Sequence, residues 1–530
     1  MGAMMNPTCR DRRALARAAL SLLLTLAACS GSDGSTPQAD ATDASDEESA
    51  PRLSGMQVAK PGTHDGFTLI GPLNSTTVYL VDMDGEVAHS WETDHAPGAA
   101  VYMLDNGNLL RCGFVDGLPG FHGGGIGGSI KEIDWDGNVV WEYELANDAL
   151  RQHHDIEPLP NGNVLLIAWE LKTESEAIAR GRDPTHVGEQ GLWPDAVLEI
   201  RPLRPSGAEV VWEWHAWDHL VQDRDPGLAD FGSPRERPGR IDINADHRFE
   251  TEEESDEERE QREALADQMA ELGYAGGTPA VAARDTTDDP DGTDDDAEPP
   301  ESLSGDWLHT NSVEWLPEHD LILLSSPRLS EIFIIDHSTT TAEAATDRGG
   351  RWRRGGDLLW RWGNPRNHGI GDATYRQLYY QHHPNWVTDG ELPSVLVFNN
   401  GGGRPDGSWS SVLELDLPWD FAVGGAQGFT IERGRPYGPP RPSWSYEDRD
   451  TFLSEFISGA ERLPNGNTLI CSGKNGRVFE VSPTGEILWD WWSPLGGDIE
   501  PNEQGGKSPP NALFRATRIA PDHPGLAGRL

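Results

Sequence analysis

The sequence predicts an all-β protein: a six-bladed β-propeller closed by its C-terminal strand, with an acidic, largely disordered insert. Three observations carry that expectation. The phrase Leu159-Pro160-Asn161-Gly162-Asn163 returns as Leu463-Pro464-Asn465-Gly466-Asn467, with a weaker copy at Leu104-Asp105-Asn106-Gly107-Asn108. Asn-Gly between apolar runs is a strong hairpin signal, and a type I′ turn needs positive φ at both central residues. Six segments also end in a tryptophan-bearing strand, at Trp91, Trp141, Trp212, Trp360, Trp444 and Trp489, usually after an Asp/Gly turn such as Asp82-Met83-Asp84-Gly85. One unit therefore reads strand, hairpin, strand, long loop, strand, turn, Trp strand. Four antiparallel strands repeated radially make a propeller blade. The ends complete the pattern. The unit opening at Phe67 has three strands, around Thr68, Tyr79 and Val87, and 511–519 is a strand with no partner of its own. Pairing the two would hide both open edges.

Taken in order, residues 1–29 read as a targeting segment. Arg10, Arg12, Arg13 and Arg17 precede an apolar run, 18–28, that is too short to span a bilayer. Leu26-Ala27-Ala28-Cys29 resembles a bacterial lipoprotein signal, which would make Cys29 the lipidated mature N-terminus. Ser30 after it suggests, by analogy, the outer membrane and the periplasmic side of the envelope. Residues 30–65 read as a polar tether and 66–520 as the propeller. An insert at 222–303 interrupts it, where acidic residues outnumber basic ones about three to one, the composition of a disordered segment. Within the insert, 251–272 could form a charged helix. The run 289–296 is calcium-like in composition but lacks EF-hand spacing.

The chain has 530 residues and a net charge of −46, which argues against nucleic acid or an anionic lipid surface as partner. The membrane would be met only through the lipid anchor, and the protein is expected to be a monomer. Cys112 and Cys471 fall at equivalent positions on second strands of blades 2 and 6, too far apart for a disulfide, and read as buried free thiols.

Strand alternation places the start of every innermost strand on one face. His153-His154-Asp155 opens that strand in blade 3, Asp306 to Ser312 (with His309 and Asn311) in blade 4, Gln381-His382-His383 in blade 5 and Ser458 in blade 6. Arg328 lies on the same side in blade 4. One histidine of this kind is usually satisfied by nearby backbone; three at equivalent positions point to a site. Three histidines suit zinc. An arginine aimed at the same point opposes a cation and favours a tetrahedral anion, so no metal or cofactor is expected. Arg404 and Lys474 could add positive field, and His122 could be a lid residue. Tyr379, Tyr380 and Trp386 could stack on a substrate, although such residues are more often blade core.

These residues resemble the bacterial arylsulfate sulfotransferases. The likeness rests on the Asp306–Ser312 motif, the His-His-Asp run with its Leu-Pro-Asn-Gly-Asn turn and Ser326-Pro327-Arg328-Leu329-Ser330-Glu331. It extends to Gly356-Asp357-Leu358-Leu359-Trp360-Arg361-Trp362-Gly363-Asn364, Gln381-His382 and Ser458-Gly459-Ala460-Glu461-Arg462-Leu463. It covers about 67–519 apart from the insert. It implies a periplasmic six-bladed propeller that moves a sulfuryl group from an aryl sulfate donor to a phenolic acceptor, without a nucleotide donor, through a sulfated histidine. By motif, His382 matches the sulfated residue, His154 and His309 the flanking histidines, Asn311 the polar residue beyond and Arg328 the sulfate-binding arginine; Ser458 would bind substrate. His383 follows His382 and His153 precedes His154, so either neighbour could hold the role. Residues 52–66 are too short for the extra N-terminal β domain of some members. The rival readings are a non-catalytic envelope scaffold and a quinone-dependent dehydrogenase-like propeller; six Trp strands and convergent histidines count against both.

Overall fold

The computed structural model describes residues 53–116, 120–247, 305–421, 428–497, 499 and 509–530. Among them the principal strands form six antiparallel sheets, one per blade. Blade 1 comprises Phe67–Pro72, Thr77–Val81 and Val87–Glu92, with Leu513–Ile519 as its innermost strand. Phe67 pairs with Ile519 and Ile70 with Ala516, the closure expected from the sequence. The innermost strands of blades 2 to 6 are Pro97–Met103, Leu150–Pro158, Ser312–Leu316, His382–Val387 and Gly459–Arg462. The six predicted Trp strands are the outer strands Val87–Glu92, Val139–Glu144, Ala208–His215, Trp360–Trp362 and Trp444–Glu447, and Ile487–Trp492 of blade 6.

The core lies between neighbouring blades. The second strands of blades 4 and 5, Leu321–Ser326 and Ser394–Asn399, are buried along their whole length, because each face packs on another blade. One apolar layer joins Leu165, Ile167 and Val197 of blade 3 to Ile322, Leu324 and Phe333 of blade 4. The repeated tryptophans have a specific task here. Five of the six indole N–H groups reach the turn of the next blade: Trp141 donates to Gly207 O at 2.9 Å, Trp212 to Thr339 Oγ1 at 3.1 Å and Trp360 to Gly438 O at 2.8 Å. Trp444 donates to Pro483 O at 2.9 Å, and Trp489 closes the ring on Met83 O at 3.0 Å. Trp91 instead meets Trp135 of blade 2 edge to face.

The Asn-Gly hairpins correct the expected type I′ turn. Gly162 has φ 83°, Asn161 is not in the left-handed region, and Gly162 N donates to Leu159 O while Leu159 N donates to Asn163 O. This is a three-residue loop, a type I turn followed by a glycine in the left-handed region. Asn161 Oδ1 accepts from Asn163 N and stabilises the turn locally. The last Asn of each phrase has its own reason: Asn108 donates to Glu132, Asn163 to Glu199 and Asn467 to Glu480, all on third strands.

Two boundaries differ from the sequence reading. The insert does not begin at 222. Ile241–Asp242 pairs in parallel with Leu220–Val221, Ile241, Ile243 and Ala245 are buried in the layer between blades 3 and 4, and Arg182 grips Asp246. Acidic composition masked these few apolar residues. The remainder of the insert, with the proposed helix at 251–272 and the run 289–296, lies outside the described residues, as do Cys29 and the targeting segment. At the other boundary, Gly55–Ala59, read as tether, is a strand that pairs with Ile487–Trp492 and covers the outer edge of blade 6. Cys112 and Cys471 are buried free thiols, as expected.

Candidate active site

The inner strands carry irregularities where the histidines stand. In blade 3, Ala168 pairs with Gln152 and Leu166 with Ile156, so a bulge sits at 153–155. In blade 5 the register shifts between His382 and Asn385. Bulges re-aim side chains and cluster at functional sites. His154, His309, His383 and Ser458 all have positive φ, at 51°, 54°, 47° and 88°. Such left-handed conformations in non-glycine residues cost free energy and persist where surrounding structure enforces them. Gly125 accommodates one consequence. Its φ is 72°, its carbonyl accepts from His154 N, and a Cβ there would lie 2.2 Å from the His154 ring.

The sequence-selected histidines come together. The His154 and His309 rings meet edge to face, 4.5 Å between centroids. Burial pulls His154 far below an ordinary histidine, and the charges of His309, His153 and His382 push it the same way. Burial lowers His382 to about 3, against the raising pull of its bond to Asn400, with the His309 charge adding to the fall. The His154 and His382 rings therefore both favour the neutral form.

Their partners assign tautomers. His382 Nδ1 lies 2.8 Å from Asn400 Oδ1 and 3.0 Å from Tyr380 O. Asn400 Nδ2 donates to Ser454 O and Ile457 O, which fixes the amide with its oxygen on His382. Both groups facing Nδ1 are acceptors, so Nδ1 carries the proton and Nε2 the lone pair. His309 Nδ1 bonds to Asp306, and Arg328 lies 3.4 Å from the same carboxylate oxygen. Burial alone would raise Asp306, but the His309 and Arg328 charges overcome it and hold the carboxyl below its ordinary range. His153 Nε2 lies 3.2 Å from Asp195 and its Nδ1 2.8 Å from His154 Nδ1. Donation to Asp195 leaves His153 Nδ1 as an acceptor, so His154 carries its proton on Nδ1. His154 Nε2 is buried without a partner.

The neighbouring histidines are engaged elsewhere. His153 stacks on Trp169, 4.2 Å between centroids. His383 Nε2 lies 3.4 Å from Glu314. Asn311 sits under the cluster and donates to Gln381 O at 3.0 Å, tying blade 4 to blade 5; its Oδ1 is buried without a partner. Ser458 is not brought to the cluster by its hydroxyl, which bonds to Ser454, Phe456 O and Gly473 N and holds a turn. Arg404 packs on Trp409 and Tyr379, Lys474 pairs with Glu455, and His122 meets Trp193 edge to face. Trp386 belongs to the layer between blades 4 and 5.

Sequence reasoning did not single out Asp306, Asn400, Asp195 or Arg515 for roles. Asp306 lies within the Asp306–Ser312 motif, three residues before His309, and that spacing is its one signal in the sequence. Arg515, from the closing strand, bonds to Asp155 at 2.8 Å and to Tyr102 at 3.0 Å. Burial opposes its charge, but Asp155, Tyr102 and Glu314 outweigh that and raise its pKa. Below the histidines the channel holds Glu157, Glu314 and Glu461. Burial raises all three, Glu314 and Glu461 to about 7.

Among the described residues, Asp183, His186 and His247 bring three potential metal donors within 4.8 Å of one another. The two rings stack in parallel at 3.6 Å, which points their lone pairs side by side rather than at one ion. No helix among the described residues is long and apolar enough to cross a membrane.

Comparison with known proteins gives a family. Among solved structures, similar chains include a protein of unknown function from Bacteroides caccae (11% identity, 86% of this chain and 99% of that one, TM-score 0.38). Another is the periplasmic gluconolactonase of Pseudomonas aeruginosa (13% identity, 86% and 99%, TM-score 0.37). Comparison with curated proteins finds no match. The family model described as arylsulfotransferase matches residues 55–488, most of the propeller and all three histidine-bearing segments, and on that match the chain belongs to the arylsulfotransferase family.

Proposed function

We propose that this protein transfers a sulfuryl group from an aryl sulfate to a phenol by double displacement, with His382 Nε2 as the nucleophile. Family membership supports sulfuryl transfer between aryl substrates in general. The observation that carries the finer reading is the pinned Nδ1 of His382, which leaves a lone pair on Nε2 of a ring that stays neutral in the buried site. A neutral imidazole with a fixed tautomer is a competent nucleophile.

In the first half-reaction Nε2 attacks sulfur, an N–S bond forms, and the S–O bond to the aryl group breaks with its electron pair on oxygen. His309 enters this step protonated on both nitrogens, with Nδ1 held by Asp306, and gives its Nε2 proton to the leaving phenolate. Arg328 offsets the charge on the sulfuryl oxygens, a preorganised electrostatic contribution. In the second half-reaction a phenol loses its proton to His309 while its oxygen attacks sulfur, and the N–S bond breaks with its pair returning to Nε2. The bare Nε2 of His154 offers an acceptor for the incoming hydroxyl. Mass spectrometry of enzyme quenched with 4-nitrophenyl sulfate alone should find one sulfuryl adduct on His382. An adduct on His383, or sequential kinetics with no adduct, would overturn the assignment. We further propose that Cys29 is lipidated and tethers the chain to the outer membrane's periplasmic side. Cys29→Ala should then move the protein to the soluble envelope fraction; retention in the membrane would end that reading.

A further inference from the structure

Asp195 opens the third strand of blade 3, Asp195–Pro202, and pairs with Trp169 on the second. It is buried, as are His153 and His154. Its two carboxylate oxygens have separate partners. Oδ1 lies 3.2 Å from His153 Nε2, and Oδ2 accepts from the backbone N–H of Thr310 at 2.7 Å. The stack on Trp169 sets the plane of the His153 ring, whose Nδ1 lies 2.8 Å from His154 Nδ1. One carboxylate thus reaches the histidine segments of blades 3 and 4.

The chain of hydrogen bonds runs in one direction. An ionised carboxylate only accepts, so His153 Nε2 donates and His153 Nδ1 accepts. The proton between the two facing Nδ1 atoms therefore sits on His154. Burial and the neighbouring charges keep that ring neutral, with a single N–H, so His154 Nε2 holds a lone pair. This atom is buried without a partner. Gly125 leaves room at that edge, since a Cβ there would lie 2.2 Å from Nε2. The lone pair suits one substrate of the two. Sulfuryl oxygens are acceptors and are repelled by it, whereas the hydroxyl of a phenol is a donor and bonds to it.

We propose, resting on the sulfuryl-transfer reading above, that Asp195 and His153 are positioning residues for the second half-reaction: together they fix His154 as an acceptor at Nε2, where it receives the hydroxyl of the incoming phenol. His154 holds the O–H as the phenol binds, and His309 takes the proton as the oxygen attacks sulfur. The Asp195–His153–His154 chain itself neither gains nor loses a proton.

Asp195→Asn tests this with little change in shape. Thr310 N–H keeps the amide oxygen, so the amide NH2 faces His153. His153 Nε2 then accepts, its proton moves to Nδ1, and His154 must move its own proton to Nε2. The variant presents an N–H where the wild type presents a lone pair. NMR of the ring nitrogens in histidine-labelled protein, with His154 assigned through a His154→Gln variant, reads this without turnover. Nε2 should be unprotonated in resting wild type and protonated in Asp195→Asn. Rapid quench separates the half-reactions. In Asp195→Asn the sulfuryl adduct should form from 4-nitrophenyl sulfate at close to the wild-type rate, and its discharge to phenol should slow by about 10- to 100-fold. His153→Phe keeps a ring on Trp169 and should also slow discharge alone. A wild-type His154 protonated on Nε2, or equal slowing of both half-reactions in both variants, would overturn the assignment and leave the transferase reading intact. The expected tautomers, with neither adduct nor transfer in the wild type, would keep Asp195 and His153 as the residues that set the His154 tautomer and remove the transferase reading.

Discussion

The two nitrogens of His382 have different fates, and the difference comes from Asn400. Its amide nitrogen is spent on two carbonyls, so its oxygen must face the ring. Asn400→Leu should free the tautomer and lower kcat by about 10- to 100-fold with a smaller change in KM. His382→Ala should cost on the order of 10³-fold or more and abolish the sulfuryl adduct; steady-state kinetics with adduct detection separates the two. The buried titratable groups also set a pH dependence. His382 has a folded pKa of about 3 against 6.5 unfolded, so between those values the folded state binds fewer protons. Stability from this group is lost as pH falls from about 6.5 toward 3, and His154 and His383 act in the same direction. Glu314 and Glu461 act oppositely: raised from 4.5 to about 7, they stabilise at low pH and that contribution is lost as pH rises through 7. Urea midpoints should fall from pH 6.5 to pH 8, and Glu314→Gln/Glu461→Gln should flatten that limb. An unchanged limb in the variant would contradict these assignments.

Among the elements, the outer Trp strands couple blades through a hydrogen bond as well as through packing. Trp360 is buried, and its N–H satisfies Gly438 O of the next blade. Trp360→Phe keeps much of the ring and strands that carbonyl. The expected cost is about 1–3 kcal/mol, read as a lowered melting temperature with the far-UV spectrum preserved. The ordered root of the acidic insert is an element of the same kind. Ile243 is fully buried between blades 3 and 4. Ile243→Ala should cost about 2–5 kcal/mol in denaturant unfolding, a loss that a detached linker would not show.

For the whole molecule, closure decides both solubility and the site. Leu513–Ile519 hides the inner edge of blade 1 and also carries Arg515 into the channel, where it binds Asp155 on blade 3 and Tyr102 on blade 2. Truncation after 508 should expose the edge of Phe67–Pro72 and yield insoluble protein. Arg515→Met keeps the strand and should give a soluble protein with altered catalysis. A soluble, active truncation would show that the ring does not need this strand.

The repeat itself was written in the sequence. Asn-Gly phrases and Trp strands are local chemistry, and their spacing alone counted the blades and placed His154, His309, His382 and Arg328 on one face. The turn type was misread because Asn-Gly serves two turns, and the loop length that separates them depends on which residues pair across the strands. The root of the insert was missed because three buried residues, Ile241, Ile243 and Ala245, leave no periodic signal in an acidic stretch. Roles for Asp306, Asn400, Asp195 and Arg515 were decided by tertiary structure alone. Asn400, Asp195 and Arg515 act on residues of other strands, across separations that the sequence does not display, whereas Asp306 acts on His309 three residues on, a spacing that names no partner by itself. Which histidine of each pair enters the cluster was decided by bulges in blades 3 and 5, where one extra residue turns a side chain to a different face.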